Sequence, residues 1–300
     1  MSGRIVKKIQ FVRLAQYTNQ GGGNTKAGTG AIVGQSGSLA RRVSMRSIIP
    51  PIPPQPKEEC LEKIVIGGEF STQAHLETLR GCTKINGDLI IKNFTTTTID
   101  FTVFDCLKEI TGDFKIDENE SLTTISGFTA LKTVGDSFTI SNNGSLTTMS
   151  GFTALETVGG DFYIMINNSL PTISGFTALE TVGGVFYIFN NGSLTTMSGF
   201  TVLETVDGVF YINGNNSLTT MSGFTALETV GGVFAISYNG SLTTMSGFTV
   251  LETVGGDFYI SNNESLTTIS GFTVLKTVSS FYISNNKSLP TISGFTALET

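Results

Sequence analysis

Few residues of this chain carry side chains that commonly do chemistry. Histidine occurs once, as His75, and the three cysteines Cys60, Cys82 and Cys106 do not have the spacing of zinc ligands. Glycoside cleavage needs two carboxylates about 5–9.5 Å apart in different environments, and the periodic part of the chain offers mainly one repeated row of glutamates. We therefore expect no catalytic residue, no metal site and no cofactor, and a β-helical polysaccharide-cleaving enzyme is the remotest alternative.

The repeated acidic row consists of glutamates 24 residues apart, with a lysine at each end. Its members are Lys132, Glu156, Glu180, Glu204, Glu228, Glu252 and Lys276. Such a row is either a cation-binding stripe or a solvated edge that discourages aggregation. Exposed glutamates at the spacing of β-strands repel each other only weakly in water. We favour the solvated edge.

The composition favours a folded β protein. Of 300 residues only 14% are charged, 22 are Phe, 35 are Gly and none is Trp. This is unlike an intrinsically disordered chain, which is usually highly charged and poor in aromatic residues. No run of about 18 apolar residues suggests a transmembrane segment, and good helix formers are scarce.

The first 56 residues differ from the rest. They carry eight basic side chains and no acidic one, whereas the remainder carries ten basic against 24 acidic residues. Five of the seven prolines lie in 50–56, which predicts an extended spacer. We predict a disordered, basic arm over 1–56. Its charges are dilute and lack interleaved aromatics, so we expect no nucleic-acid binding, and its first 30 residues lack the apolar core of a signal peptide.

A 24-residue repeat dominates 121–300. The tripeptide Ser-Gly-Phe recurs with its phenylalanine at Phe128, Phe152, Phe176, Phe200, Phe224, Phe248, Phe272 and Phe295. A fixed period in this range predicts a solenoid, whose units bury their apolar edges by stacking on their neighbours. The alternation in Phe162–Ile164 predicts a half-buried strand, and the Gly159–Gly160 pair predicts a corner. We expect 57–120 to hold the N-terminal cap and the first coils.

Stacked coils would place identical residues in ladders about 4.8 Å apart. One ladder would be the Ser-Gly-Phe phenylalanines, and a second would be those of the Phe-x-Ile strands. A third would consist of inward asparagines that bond to backbone groups of their own and adjacent coils. Its members are Asn143, Asn167, Asn191, Asn215, Asn239 and Asn263, continued at the ends by Asn119 and Asn286.

The repeat resembles that of receptor L domains. The resemblance rests on the run from Leu122 to Asn143, Leu-Thr-Thr-Ile-Ser-Gly-Phe-Thr-Ala-Leu-Lys-Thr-Val-Gly-Asp-Ser-Phe-Thr-Ile-Ser-Asn-Asn, and it covers about 58–300. That family includes the ligand-binding lobes of epidermal growth factor and insulin receptors, and fungal cell-wall proteins anchored by glycosylphosphatidylinositol. It implies an all-β fold, a right-handed parallel β-helix related to leucine-rich repeats, with a short cap helix near 71–80.

The resemblance also implies a role, a location and a disulfide. The family is non-catalytic and acts outside the cell or at its surface. Its first coil is capped by a disulfide, which here would join Cys60 to Cys82 and leave Cys106 as a buried apolar residue. The near-identical repeats depart from the diverged coils of the receptors.

Every asparagine of the third ladder begins an Asn-x-Ser sequon, for example Asn143-Gly144-Ser145. One interpretation is a heavily glycosylated surface. The other is a buried ladder in which the sequon is a by-product of the repeat. The two interpretations exclude each other for any given asparagine. We favour the buried ladder because the buried backbone groups of the turns in a regular stack need hydrogen-bond partners.

The outward positions of the main strand carry tyrosines. They form an apolar patch with neighbouring residues on the same sheet, and such patches often mark interaction surfaces. The alternative is that tyrosine and valine simply suit an exposed strand. If the patch binds a ligand, the residues we expect to bind it are Tyr163, Val185, Tyr187, Phe189, Val209 and Tyr211.

We accordingly expect a non-catalytic surface protein that binds a protein or a glycan through the Tyr-rich sheet. The alternative is a purely architectural rod in a cell wall or on a particle. Because Thr300 lies inside a coil without a polar closing unit, we also expect truncation or an end-to-end partner that covers the last coil.

Overall fold

The fold is a parallel β-solenoid of about nine coils. It was obtained as a computed structural model, and it describes residues 60–298. The predicted solenoid with coils of about 24 residues is therefore confirmed. The predicted basic arm of 1–56 lies outside the described residues.

Each regular coil contains three short strands, one on each of three faces. The long-strand face carries the Phe-x-Ile segments, in which alternate residues point into the core. Parallel pairing with the previous and the next coil satisfies its backbone groups. Its strands are Ile64–Phe70, Lys84–Lys92, Phe114–Asp117, Phe138–Ser141, Phe162–Met165, Phe186–Phe189, Phe210–Asn213, Phe234–Ser237, Phe258–Ser261 and Phe281–Ser284.

The other two faces are built from two-residue strands. The Thr-Val face holds Glu109–Ile110, Thr133–Val134, Thr157–Val158, Thr181–Val182, Thr205–Val206, Thr229–Val230 and Thr253–Val254. The Thr-Met face holds Thr124–Ile125, Thr148–Met149, Thr172–Ile173, Thr196–Met197, Thr220–Met221, Thr244–Met245 and Thr268–Ile269. Lys84–Lys92 pairs with strands of both the long-strand and Thr-Val faces, and so joins them into one 17-stranded sheet.

Two interlocking stacks of phenylalanine run through the apolar core. Within one stack, the ring centroids of Phe162 and Phe186 are 5.1 Å apart and their planes differ by 4°. Between stacks, Phe162 meets Phe176 edge-on, at 5.0 Å and 85°. All three side chains are fully buried. Burial of each contributes about 1.5–3 kcal/mol, and favourable ring geometry adds about 0.5–1.5 kcal/mol per pair.

A short helix covers the N-terminal end of the core. It spans Gln73–Leu76 and continues as a 3-10 turn over Glu77–Leu79, within the segment where the cap helix was predicted. The Thr72 side chain caps it by accepting a hydrogen bond from the His75 backbone N–H. A further 3-10 turn spans Phe101–Phe104, and its side chains fill the core below the first regular coil.

The predicted disulfide is wrong. Cys60 is bonded to Cys106, with their Cα atoms 5.4 Å apart, and Cys82 is a free thiol. The Cys82 side chain is fully buried in the apolar core, whereas Cys60 is exposed. Burial also raises the pKa of the Cys82 thiol. The observed bond closes a loop of 46 residues, which contributes about 4 kcal/mol on the loop-entropy model.

The turn after each long strand requires a left-handed backbone. Most coils place Asn at this position, as in Asn142, Asn190 and Asn262, where φ is 51–56°. Asparagine tolerates this conformation better than most residues because its short polar side chain bonds locally. Ile166 occupies the same position with φ 56°, although a β-branched residue is strained there.

We predict that Ile166→Asn stabilises the protein by about 1 kcal/mol, because it relieves the left-handed strain. Urea unfolding followed by circular dichroism measures the effect. The matched control is Asn190→Ile, which introduces the same strain in the next coil and should lower the free energy of unfolding by a similar amount. Unchanged midpoints for both variants would contradict the idea that this position is strained.

Candidate binding face

The long-strand face aligns its outward residues in rows along the solenoid. Parallel, in-register pairing sets Tyr163 beside Tyr187 and Tyr187 beside Tyr211. The flanking residues of each strand, which point inward, are fully buried phenylalanine and isoleucine. The side chains expected to bind a ligand therefore lie on one surface, here called the tyrosine face: Tyr163, Val185, Tyr187, Phe189, Val209 and Tyr211.

The rings of the tyrosine face stack on one another. Tyr187 and Tyr211 have centroids 5.1 Å apart and planes 10° apart, and Phe189 lies against Tyr187 at 5.3 Å and 17°. Tyr163 closes one end of the row edge-on, 6.2 Å from Tyr187. The rings of Tyr187, Phe189 and Tyr211 therefore lie nearly parallel, and each ring of the tyrosine face is half-buried rather than fully exposed.

Ala235 interrupts the tyrosine row. It pairs with Tyr211 on one side and Tyr259 on the other, so no ring stands between them. Beyond this gap Tyr259 and Tyr282 form a second stack, with centroids 4.7 Å apart and planes 5° apart. The row is thus divided into a group of four aromatic side chains and a pair.

Polar neighbours hold several of these rings in place. The Tyr163 hydroxyl donates to a carboxylate oxygen of Asp161 at 2.7 Å, and the other Asp161 oxygen accepts the Val185 backbone N–H, also at 2.7 Å. Burial and the nearby Asp161 raise the pKa of Tyr163 to about 12. The hydroxyl therefore keeps the proton that it donates to Asp161 even at pH values where a free tyrosine begins to ionise.

Two other stacked tyrosines, Tyr211 and Tyr259, also have polar partners. The Asn213 side-chain amide donates to the Tyr211 hydroxyl, and Tyr259 donates to Asp257 at 2.9 Å. Sequence reasoning missed Asp161, Asn213 and Asp257, which orient the rings. The available signal was their position, because each lies two residues from a tyrosine on the same strand side.

An asparagine ladder runs beneath the turn at the end of the long-strand face. Asn143 illustrates its geometry. Its side-chain oxygen accepts the Asn119 backbone N–H at 3.1 Å, and its amide donates to the carbonyls of Ile116 and Ser141 at 3.1 and 2.8 Å. The members with fully buried side chains are Asn119, Asn143, Asn167, Asn191, Asn215, Asn239 and Asn263. Each member therefore bonds its own coil to its neighbours.

The comparison with protein families agrees with these coils. A family model described as the receptor L domain matches residues 81–150. The solenoid is receptor L domain-like. A search of curated proteins and a search of solved structures each found no match.

The L domain match confirms the family resemblance. The family is non-enzymatic and is found outside the cell or associated with its surface. The matched region, 81–150, ends before Tyr163, so the coils that carry the tyrosine face lie outside it. Those coils continue the same register and the same ladders.

The acidic row of this L domain-like solenoid lies on its surface. The end lysines form ion pairs, Lys132 with Glu156 and Lys276 with Glu252, each at 2.6 Å. Among residues 60–298 no group of three or more His, Cys, Asp or Glu side chains is arranged to hold a metal ion. In the same range, no helix combines the length and apolarity needed to cross a bilayer.

We predict that Asn191→Ala destabilises the L domain-like solenoid by about 3 kcal/mol or more. The change leaves the Asn167 N–H and the Ile164 carbonyl buried without their side-chain partner, and each such loss costs about 1–3 kcal/mol. Urea unfolding provides the measurement. The control is Asn168→Ala, at an exposed position outside the ladder, which should change stability by no more than about 0.5 kcal/mol. Equal effects of the two variants would refute a structural role of the ladder.

Proposed function

We propose that this protein is a non-catalytic interaction protein whose tyrosine face binds another protein. The observation that carries the proposal is the continuous stack of Tyr187, Phe189 and Tyr211, flanked by Val185 and Val209. Aromatic side chains held rigidly on a strand lose little conformational entropy on binding, and tyrosine is enriched among the residues that dominate binding energy. The receptor L domain match fits a non-catalytic role of this kind, either ligand-binding or structural.

The ring geometry favours a protein ligand over a glycan. Sugar rings stack on the open faces of aromatic side chains, whereas Tyr187 already packs against the rings of Phe189 and Tyr211, with centroids 5.3 and 5.1 Å away. The row combines aromatic rings and hydroxyl groups with the valine side chains beside them. Such a mixed apolar and hydrogen-bonding strip resembles the composition of protein interfaces.

An architectural rod is the second candidate. In-register ladders of identical residues, such as the Phe162, Phe186 and Phe210 stack, support it because they make every coil equivalent and the solenoid stiff. The two functions differ in one respect. An architectural rod requires the buried ladders but does not require the side chains of the tyrosine face.

We predict that Tyr187→Ala reduces binding of face-directed peptides by about 30-fold. That is the effect of losing about 2 kcal/mol at an interface hot spot. Phage-displayed random peptides are selected on the immobilised full-length protein. Each enriched peptide is then titrated with the wild type and with Tyr187→Ala, and binding is measured by fluorescence anisotropy. Soluble mannan, chitin fragments and β-glucan are compared by affinity electrophoresis, where we expect no retardation.

The matched control is Tyr238→Ala, because Tyr238 is 57% exposed and lies at a turn outside the tyrosine face. It should leave peptide affinity unchanged, and both variants should retain the wild-type circular-dichroism spectrum. Enriched peptides that bind Tyr187→Ala as tightly as the wild type would favour the rod. If a polysaccharide retards the wild-type protein but not Tyr187→Ala, the ligand of the tyrosine face is a glycan and not a protein.

A further inference from the structure

The chain contains nine Asn-x-Ser/Thr sequons, and eight of them belong to the asparagine ladder. The ninth is Asn93-Phe94-Thr95, which lies just before the regular repeats. It is also the one sequon of the nine that ends in threonine. The structure separates these sequons sharply by accessibility.

Seven ladder sequons are closed to modification in the folded protein. Their asparagine side chains have no exposed surface, and each amide donates to the backbone carbonyl of an adjacent coil. Asn167, for example, donates to the Ile140 carbonyl at 3.0 Å and to Asn191 at 3.3 Å. A sugar on this nitrogen would replace one of those hydrogens and occupy the space of the adjacent coil. The eighth, Asn286, is half-buried and donates to the Ile260 carbonyl at 2.9 Å.

Asn93 has the opposite environment. The coil that carries it is one residue longer than the regular coils, since Lys92 pairs with Asp117, 25 positions on. The buried Phe94 consequently takes the ladder position, and its backbone N–H donates to the Asn119 side chain at 2.9 Å. Asn93 is displaced to the left-handed turn residue before the ladder, with φ 59°.

The first and third residues of this sequon face solvent. Asn93 and Thr95 are exposed, and Phe94 between them is only 5% exposed and anchors the turn in the core. Among the described residues, no side chain or backbone group forms a hydrogen bond with the Asn93 side chain. An acceptor asparagine on a fixed, exposed turn has the surface position expected of an N-glycosylation site.

We propose that Asn93 is the N-glycan acceptor of the folded protein and that the seven buried ladder sequons are unavailable. In the transfer, the Asn93 Nδ2 attacks C1 of a sugar activated by a diphosphate. The C1–Nδ2 bond forms, the bond from C1 to the phosphate oxygen breaks, and the diphosphate leaves with the electron pair. One amide proton passes to a base of the transferase.

The ladder adds a condition on when the sugar is attached. A chain modified at Asn143 or Asn167 before folding cannot close the ladder, because one amide hydrogen is replaced and the sugar has no space beside the adjacent coil. A chain modified at Asn93 meets no such obstacle. Among Asn93 and the seven buried asparagines, glycosylation after folding therefore yields one occupied site, whereas glycosylation of the unfolded chain competes with folding.

The test uses unglycosylated full-length protein carrying Ser288→Ala, which removes the half-buried Asn286 sequon. The folded protein is incubated with UDP-glucose and a soluble transferase that glucosylates asparagine in Asn-x-Ser/Thr. Intact mass and peptide mapping should show one hexose, at Asn93. The same protein unfolded in urea, diluted into the transferase before refolding, should acquire hexose at ladder asparagines as well.

Two variants of the sequon serve as controls. Thr95→Ala removes the sequon but keeps the asparagine that the left-handed turn prefers, and it should abolish the hexose on the folded protein without shifting the thermal melting curve. Thr95→Ser keeps the sequon and should retain modification. Absence of hexose at Asn93 in the folded protein overturns the proposal, and so does hexose at any of the seven buried asparagines in that sample.

Discussion

The structure depends on the hydrogen bonding of each coil to the next in strict register. A coil of this repeat has strands of only two to four residues, which are too short to be stable alone. The asparagine ladder adds side-chain bonds at the turn where strand pairing ends, so that backbone groups buried there are satisfied. Stacked phenylalanine rings supply the apolar burial between the same coils. Both contributions exist only between neighbours.

Strict register has a consequence for the surface. Each outward position repeats along the solenoid, so a residue type that recurs in every coil forms a row on the surface. A coil with a different residue at that position interrupts the row locally. The tyrosine face is such a row, and Ala235 is such an interruption. Asn93 is another, because one additional residue in its coil moves an asparagine from the ladder to the exposed turn. Candidate functional positions in this protein are therefore found where rows of polar or aromatic residues reach the surface or break.

Much of the architecture could be predicted because the repeat is nearly exact. The spacing of Phe152 and Phe176 alone implied stacked coils, and the alternation in Phe162–Ile164 implied which side chains point inward. The cysteine pairing was predicted wrongly because it was transferred from a family resemblance. Which cysteine faces the core depends on how the irregular first coils pack, and that part of the chain has no internal repeat to reveal it.

The sequence by itself determined the period, the inward and outward positions of each strand and the grouping of tyrosines on one side. It determined these because a regular repeat converts spacing along the chain into alignment in space. Only the tertiary structure decided that the rings of Tyr187 and Tyr211 stack on each other, that Cys106 rather than Cys82 meets Cys60, and that Asn93 is exposed while Asn143 is closed. Side-chain contacts across coils depend on rotamers and on one-residue shifts in coil length, which the pattern of residue types does not record.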